Sequence, residues 1–191
     1  FDPVHLGHIM MAGKVKKSLD LEQVLMIPAG QPQTRPDENI TPARQRLEML
    51  ELAVEGKPGL KVSTIEMERK GPSYTVNTLI ELKNTYKSAY EIYFILGWAS
   101  LAQLPNWHEP SRIINLCYLA AVPRPGYKRP NLKTLEGVLP GITDRVIFMD
   151  GPKNDISATE IRERIGRGES IDHLVPEAVA KYIVKNKLYK N

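Results

Sequence analysis

One cysteine, four histidines and no long apolar run delimit what this 191-residue chain is not. With Cys117 alone, an internal disulfide framework and any multi-cysteine metal site are excluded. Its neighbours Leu116 and Tyr118 to Ala121 read as a buried strand, so the thiol is expected to be an inert core side chain. The longest apolar stretch, Ile113 to Val122, is broken by Asn115 and stopped by Pro123. It falls far short of the roughly 20 residues that cross a bilayer, so no membrane span is expected. No internal repeat, low-complexity tract or Gly/Ser linker divides the chain, and at about 150 residues per domain its length is that of one domain. No signal-peptide pattern is present, and the chain opens abruptly on Phe1-Asp2-Pro3, without an initiator methionine or a leading strand. Neither sign of charge dominates: 26 − 22 leaves +4, which suits phosphorylated small ligands but does not argue for nucleic acid without a patch. The tail lysines 181, 185, 187 and 190 are expected on a solvated helix face.

What is present is an ordinary globular composition, 42% hydrophobic and 25% charged, which excludes a disordered or fibrous chain. Short β-rich runs alternate with helical patterns, the signature of an α/β fold with a largely parallel sheet. Strands are expected at Gln23 to Ile27, Leu60 to Ser63, Glu91 to Leu96, Cys117 to Val122 and Arg145 to Phe148. Thr41-Pro42 reads as a cap and an N1 proline before a helix bearing Leu47, Leu50, Ala53 and Val54, with Gly56 as its stop. Ser73 to Thr75 precedes a helix with Val76, Leu79 and Ile80, and Pro176 opens a last helix with Val179, Tyr182 and Ile183 buried. Two polar, proline-rich connections, Gln31 to Asn39 and Arg124 to Pro130, closely follow predicted strands. They are therefore expected at the carboxyl edge of the sheet, where open α/β folds bind ligands.

Two clusters could carry chemistry. In His5-Leu6-Gly7-His8 the histidines stand just before a helix with Ile9, Ala12 and Leu19. Free N–H groups and the dipole at a helix start attract anions, two imidazoles add donors, and a glycine admits close approach. Two incidental loop histidines are the plain alternative. A zincin site is disfavoured, because it needs histidines four apart with a glutamate between them. In Ile156-Ser157-Ala158-Thr159-Glu160-Ile161-Arg162, Ser157 and Glu160 form a capping box, so a helix should begin there. Thr159 and Arg162 can add a hydroxyl and a guanidinium on the same side. Two such helix starts would make a cradle for a triphosphate.

Together these segments resemble a known family. Phe1-Asp2-Pro3-Val4-His5-Leu6-Gly7-His8 is similar to the Phe-Asp-Pro-x-His-x-Gly-His signature of the nucleotidylyltransferase superfamily, and Ile156 to Arg162 to its Ile-Ser-x-Thr-x-x-Arg signature. Further segments resemble the nicotinate-nucleotide adenylyltransferase family in particular. They are Pro72-Ser73-Tyr74-Thr75 with Thr78-Leu79, Leu96-Gly97, Pro105-x-Trp107, Arg124-Pro125-Gly126-Tyr127, and the ending from Gly168 to Tyr189. The resemblance covers essentially the whole chain. It implies one Rossmann-like, doubly wound α/β domain over residues 1–191 and a cytoplasmic enzyme of NAD biosynthesis. The implied reaction is transfer of AMP from ATP to nicotinate mononucleotide, giving deamido-NAD and pyrophosphate.

The resemblance also implies roles. His5, His8 and Arg162 would be catalytic, neutralising charge on the phosphates. Phe1, Gly7, Gly97, Ile156, Ser157 and Thr159 would bind ATP. Tyr74 and Thr75 would meet the nicotinate carboxylate, Trp107 would stack on the pyridine ring and Arg124 would bind the acceptor phosphate. Mg²⁺ would arrive with ATP, without a metal site on the protein, and no nucleic acid or membrane partner is implied. The plain alternatives are a helix start for Thr75, a half-buried anchor for Trp107 and a solvated loop cation for Arg124.

Three positions depart from the family. Its Gly-Gly-Thr turn, with the strand that feeds it, is expected ahead of Phe1 and is not in this sequence. Gly97-Trp98-Ala99 stands where the family has Gly-x-Asp, and Pro32-Gln33-Thr34-Arg35 where it has Pro-Pro-His followed by a cation. Two rival readings stay open: a sister transferase using phosphopantetheine or a cytidylyl acceptor, and a non-catalytic nucleotide-binding module.

Overall fold

A computed structural model describes residues 1–31, 40–87, 90–151 and 155–190. The chain divides into two compact units, Phe1–Pro72 with Asp155–Asn191, and Ser73–Asn154. Each is an α/β unit whose strands pair in parallel.

The first unit contains α1 (Leu6–Ser18), β1 (Val24–Met26), α2 (Ala43–Val54), β2 (Leu60–Val62) and, from the end of the chain, α7 (Ala158–Gly166) and α8 (Glu177–Lys185). Strands β1 and β2 pair in register Val24↔Leu60, with α2 as the intervening helix, as a parallel pair requires. Helix α2 buries Met49, Leu50 and Ala53 along one stripe and packs against α8, which answers with Val179, Ala180 and Ile183. Each large side chain so buried contributes about 1.5–3 kcal/mol. The tail lysines 181, 185, 187 and 190 are exposed, as the charge pattern predicts.

The second unit contains α3 (Thr75–Tyr86), β3 (Tyr93–Gly97), α4 (Trp98–Gln103), α5 (Pro110–Leu116), β4 (Tyr118–Val122), α6 (Leu132–Val138) and β5 (Val146–Phe148). Its strand order is β3-β4-β5, with β4 buried in the centre. A continuous run such as Leu119, Ala120, Ala121 and Val122 is what a parallel strand covered on both faces needs. Cys117 lies in this core beside Ile113 and Leu119, and its thiol donates to the Ile113 carbonyl at 3.4 Å.

All five predicted strands form, each trimmed at one or both ends. Two local expectations need correction. Pro42 is the N-cap of α2 and not its first helical residue: its ψ of 139° is extended, and its carbonyl accepts the first helical bond, from Arg46 N–H at 3.1 Å. Thr41 does not cap the helix, because with Pro42 at the N-cap it stands one residue too early; its N–H donates to the Asp2 carboxylate at 3.4 Å. His8 does not precede its helix; α1 starts at Leu6, which puts His8 in the first turn and His5 at the N-cap. The Gln31 to Asn39 connection, with Pro32-Gln33-Thr34-Arg35, lies outside the described residues from position 32 onward.

Candidate active site

The two signature segments meet inside the first unit. The Arg162 guanidinium donates through Nη1 to the Asp2 carbonyl at 2.8 Å and through Nη2 to Thr159 Oγ1 at 3.4 Å. The Phe-Asp-Pro segment is thereby held to α7 across 160 positions of sequence. Ser157 caps α7 as its spacing predicts, its hydroxyl accepting from Glu160 N–H at 3.1 Å. Ile156 and Ser157 are half-buried and Thr159 is exposed.

At the start of α1 the histidines play the parts of a capping pair. His5 N–H donates to His8 Nδ1 at 3.3 Å, and the two rings stack at 3.6 Å between centroids, 27° apart. Phe1 presses edge-on against His8 at 4.8 Å. Since His8 Nδ1 accepts, the proton of a neutral His8 ring is on Nε2, which makes Nε2–H a donor. Gly7 and His5 are buried, and His8 is half-buried. Leu6 N–H donates to the Leu174 carbonyl at 2.9 Å, which fixes this helix start to the approach of α8.

Beneath both segments lies a polar knot. Asp2 Oδ1 accepts from the Tyr189 hydroxyl at 2.7 Å and Oδ2 from Thr41 N–H. Arg46, only 3% exposed, donates through Nε to the Thr41 carbonyl at 2.9 Å and through Nη2 to the Gly30 carbonyl at 3.4 Å. Burial lowers the Arg46 pKa from its ordinary value, and the Asp2 carboxylate works against that fall. Burial pushes the Tyr189 phenol far up, with Asp2 adding to the rise, so the hydroxyl stays a donor. A buried guanidinium needs such a counter-charge and acceptor set. From sequence, Asp2, Arg46 and Tyr189 had no role of their own and Thr41 only that of a helix cap. One signal was present: Arg46 continues the 46, 49, 50, 53 stripe that α2 buries.

The acceptor-side residues all belong to the second unit. Tyr74 is the N-cap of α3 and Thr75 its first residue. Trp107 follows the 3-10 turn Leu104–Asn106, half-buried, with its ring edge-on to Phe94 at 6.0 Å. The Tyr74 ring stacks on His108 at 4.2 Å, 27° apart, which brings the Tyr74 segment to the neighbour of Trp107. His108 was not singled out from sequence; no local pattern pairs it with Tyr74. Arg124 is exposed two residues after β4, its guanidinium 5.4 Å from the Tyr127 ring centroid. No hydrogen bond or ring contact links Thr75 or Arg124 to Trp107 among the described residues. Gly97 ends β3, and a Cβ added there would meet no protein atom within 4 Å, so packing alone does not demand glycine.

Among the described residues no group of three or more His, Cys, Asp or Glu could hold a metal ion, and no helix is long and apolar enough to cross a membrane. The Cys117 thiol, pushed up to about 12 by burial, is no nucleophile. What the first unit offers is imidazole, hydroxyl, guanidinium and helix-start N–H donors, which is an anion-binding set.

A cytidylyltransferase-like family model matches residues 1–164, and the chain belongs to that family. Its relatives narrow the class to the nicotinate-nucleotide adenylyltransferases, which makes the chain an enzyme, a nucleotidyltransferase. A "probable nicotinate-nucleotide adenylyltransferase" of Dehalococcoides mccartyi is 47% identical over 189 residues, covering 99% of this chain and 93% of its own length. A protein of the same description from Thermomicrobium roseum is 42% identical, covering 100% of this chain and 88% of its own. Among solved structures, the Plasmodium falciparum nicotinic acid mononucleotide adenylyltransferase complexed with NaAD superposes with a TM-score of 0.79 at 19% identity, over 99% of this chain and 93% of that one. At that identity the likeness shows the fold, a Rossmann-type α/β arrangement.

Proposed function

We propose that this enzyme transfers AMP from ATP to nicotinate mononucleotide, releasing pyrophosphate and deamido-NAD, as a cytoplasmic step of NAD biosynthesis. The proposal takes residues 1–191 as one nucleotidylyltransferase domain, because relatives align over 99% of the chain. Its partners are then small nucleotides, with neither a nucleic acid nor a membrane surface among them. The observation that carries the reading is the 2.8 Å bond from Arg162 to the Asp2 carbonyl, which joins the two anion-binding helix starts in one unit.

An oxygen of the mononucleotide phosphate attacks the α-phosphorus of ATP in line, and the bond to the pyrophosphate oxygen breaks. Such a step needs no protein nucleophile, only positioning and neutralisation of developing charge. His8, through Nε2–H, and His5 would face the charge that builds on the departing pyrophosphate. Ser157, Thr159 and Arg162 would hold the β and γ phosphates, with Phe1, Gly7 and Ile156 shaping the same cradle. Gly97 would let adenosine approach the end of β3. On the acceptor side, Thr75 and the backbone at Tyr74 would bind the nicotinate carboxylate, Trp107 would stack on the ring and Arg124 would bind the phosphate. Mg²⁺ would enter as part of the substrate, MgATP. Among the described residues, the donor set of the first unit suits anions and does not fit a resident cation.

The test is pyrophosphate release from MgATP with a panel of acceptors: nicotinate mononucleotide, its amide, and phosphopantetheine. Release with nicotinate mononucleotide, and more slowly with the amide, is the expected result, because a carboxylate accepts from Thr75 and backbone N–H groups where an amide NH₂ does not. Release with phosphopantetheine alone would make the chain a sister transferase, and nucleotide binding without any release would make it a non-catalytic module.

A further inference from the structure

After α8 the chain turns back on itself. Lys187 and Tyr189 both take left-handed conformations, with φ of 52° and 60°, and Leu188 N–H returns to the Ile183 carbonyl at 3.1 Å. Side chains with a Cβ disfavour that region. The buried residues of α8 are Val179, Ala180 and Ile183, and the turn beyond it delivers the Tyr189 hydroxyl to Asp2 Oδ1. Asp2 has three engagements that meet at one residue: its carboxylate takes Tyr189 and Thr41, the buried Arg46 supplies the balancing charge, and its carbonyl takes Arg162. Asp2 is short, so pinning its carboxylate from one side restricts where its carbonyl can point. A guanidinium that shares one of its donors with a fixed carbonyl is itself fixed in orientation.

We propose that Tyr189 is a positioning residue for phosphate binding: by holding the Asp2 carboxylate it sets the Asp2 carbonyl, and that carbonyl aims the Arg162 guanidinium at the triphosphate. The inference rests on the proposed function for the role of Arg162, and it extends that role to a residue 27 positions further along the chain. Pre-set donors cost no reorganisation when charge develops, which is where such a device acts.

Tyr189→Phe keeps the ring and removes the donor. The affinity for the magnesium complex of α,β-methylene-ATP, measured by calorimetry, is expected to fall about tenfold, the scale of one hydrogen bond to a charged group, while the melting temperature stays near the parent's. The KM for nicotinate mononucleotide is expected to hold. The decisive arm is a double-mutant cycle with Arg162→Lys, in which Tyr189→Phe should cost less than about twofold further, since residues acting through one contact are non-additive. An equal loss in both backgrounds, or unchanged nucleotide affinity in a folded Tyr189→Phe protein, overturns the proposal. A chain ending at Leu188 is run in parallel; failure of both variants to fold would make Tyr189 a folding residue and overturn it equally. Because the affinity arm needs no acceptor, a parent that binds the analogue but releases no pyrophosphate would sink the transferase reading and leave this one standing.

Discussion

The two units place their chemistry on different supports. In the first, the segments that carry the proposed phosphate-binding residues are tied down by polar contacts between distant stretches of chain: Arg162 to Asp2, Tyr189 to Asp2, and Leu6 to Leu174. In the second, the proposed acceptor residues stand at element ends and on an exposed loop, held by ring contacts: Tyr74 on His108, Trp107 on Phe94, Arg124 over Tyr127. The difference matches the ligands proposed for each. A triphosphate concentrates charge, and groups that answer charge gain most when their orientation is set in advance. A pyridine ring offers a face, and stacking tolerates small displacements that a charged hydrogen bond does not. The comparison suggests that substitutions in the first unit should act on rate and on ATP, and those in the second on the acceptor.

The largest effect is expected from His8→Ala. Removing a donor aimed at developing phosphate charge typically costs on the order of 100- to 1,000-fold in rate, with folding stability little changed. Steady-state kcat beside a melting curve checks this, and an unchanged kcat in folded protein would remove His8 from the phosphate site. Next comes Trp107→Ala. Loss of a stacking face is expected to raise the KM for nicotinate mononucleotide by about tenfold, on the scale of aromatic–base stacking, with the KM for ATP held. A rise in both constants would erase the contrast between the units. A smaller gain is expected from Ala99→Asp. Ala99, the second residue of α4, stands where the family resemblance leads one to expect an acid, and an acid there should lower the KM for ATP by about threefold to tenfold through one charge-assisted bond, without a comparable change for the acceptor. A KM for ATP that stays level would mean that adenosine is held by another arrangement.

The smallest effect concerns pH. Burial pushes the Cys117 thiol up to about 12 in the folded chain, above its ordinary value of 9.0. Between those values the folded state binds a proton that the unfolded state has released, so stability present below the ordinary value is lost as pH rises toward the folded one. Denaturant unfolding of the parent should therefore weaken more steeply above about pH 9 than that of Cys117→Ala. Parallel curves would show that the core of the second unit admits water at Cys117.

Much of this was legible in the sequence because it is local. Period and turn chemistry put the five strands within a residue or two of their places, and Ser157 three positions before Glu160 marked the start of α7. The His5–His8 spacing pointed to a helix start, though not to the mutual capping that moved His8 into the first turn, since propensity does not register histidine as a cap. Thr41-Pro42 looked like a cap and an N1 proline; the chain instead puts Pro42 at the N-cap, and a carboxylate 39 positions away takes the Thr41 N–H. That contact belongs to the class a local pattern cannot carry.

The amino-acid sequence by itself determined the fold class and the element order and nominated candidate residues, because hydrophobic period and side-chain chemistry are properties of short windows. Tertiary structure alone decided which of those residues work together. Asp2 meets Tyr189 across 187 positions and Arg162 across 160, and Arg46 is buried among backbone carbonyls that only the folded chain brings to it. A buried charge must find its counter-charge wherever the fold has placed one, and sequence distance does not enter that requirement.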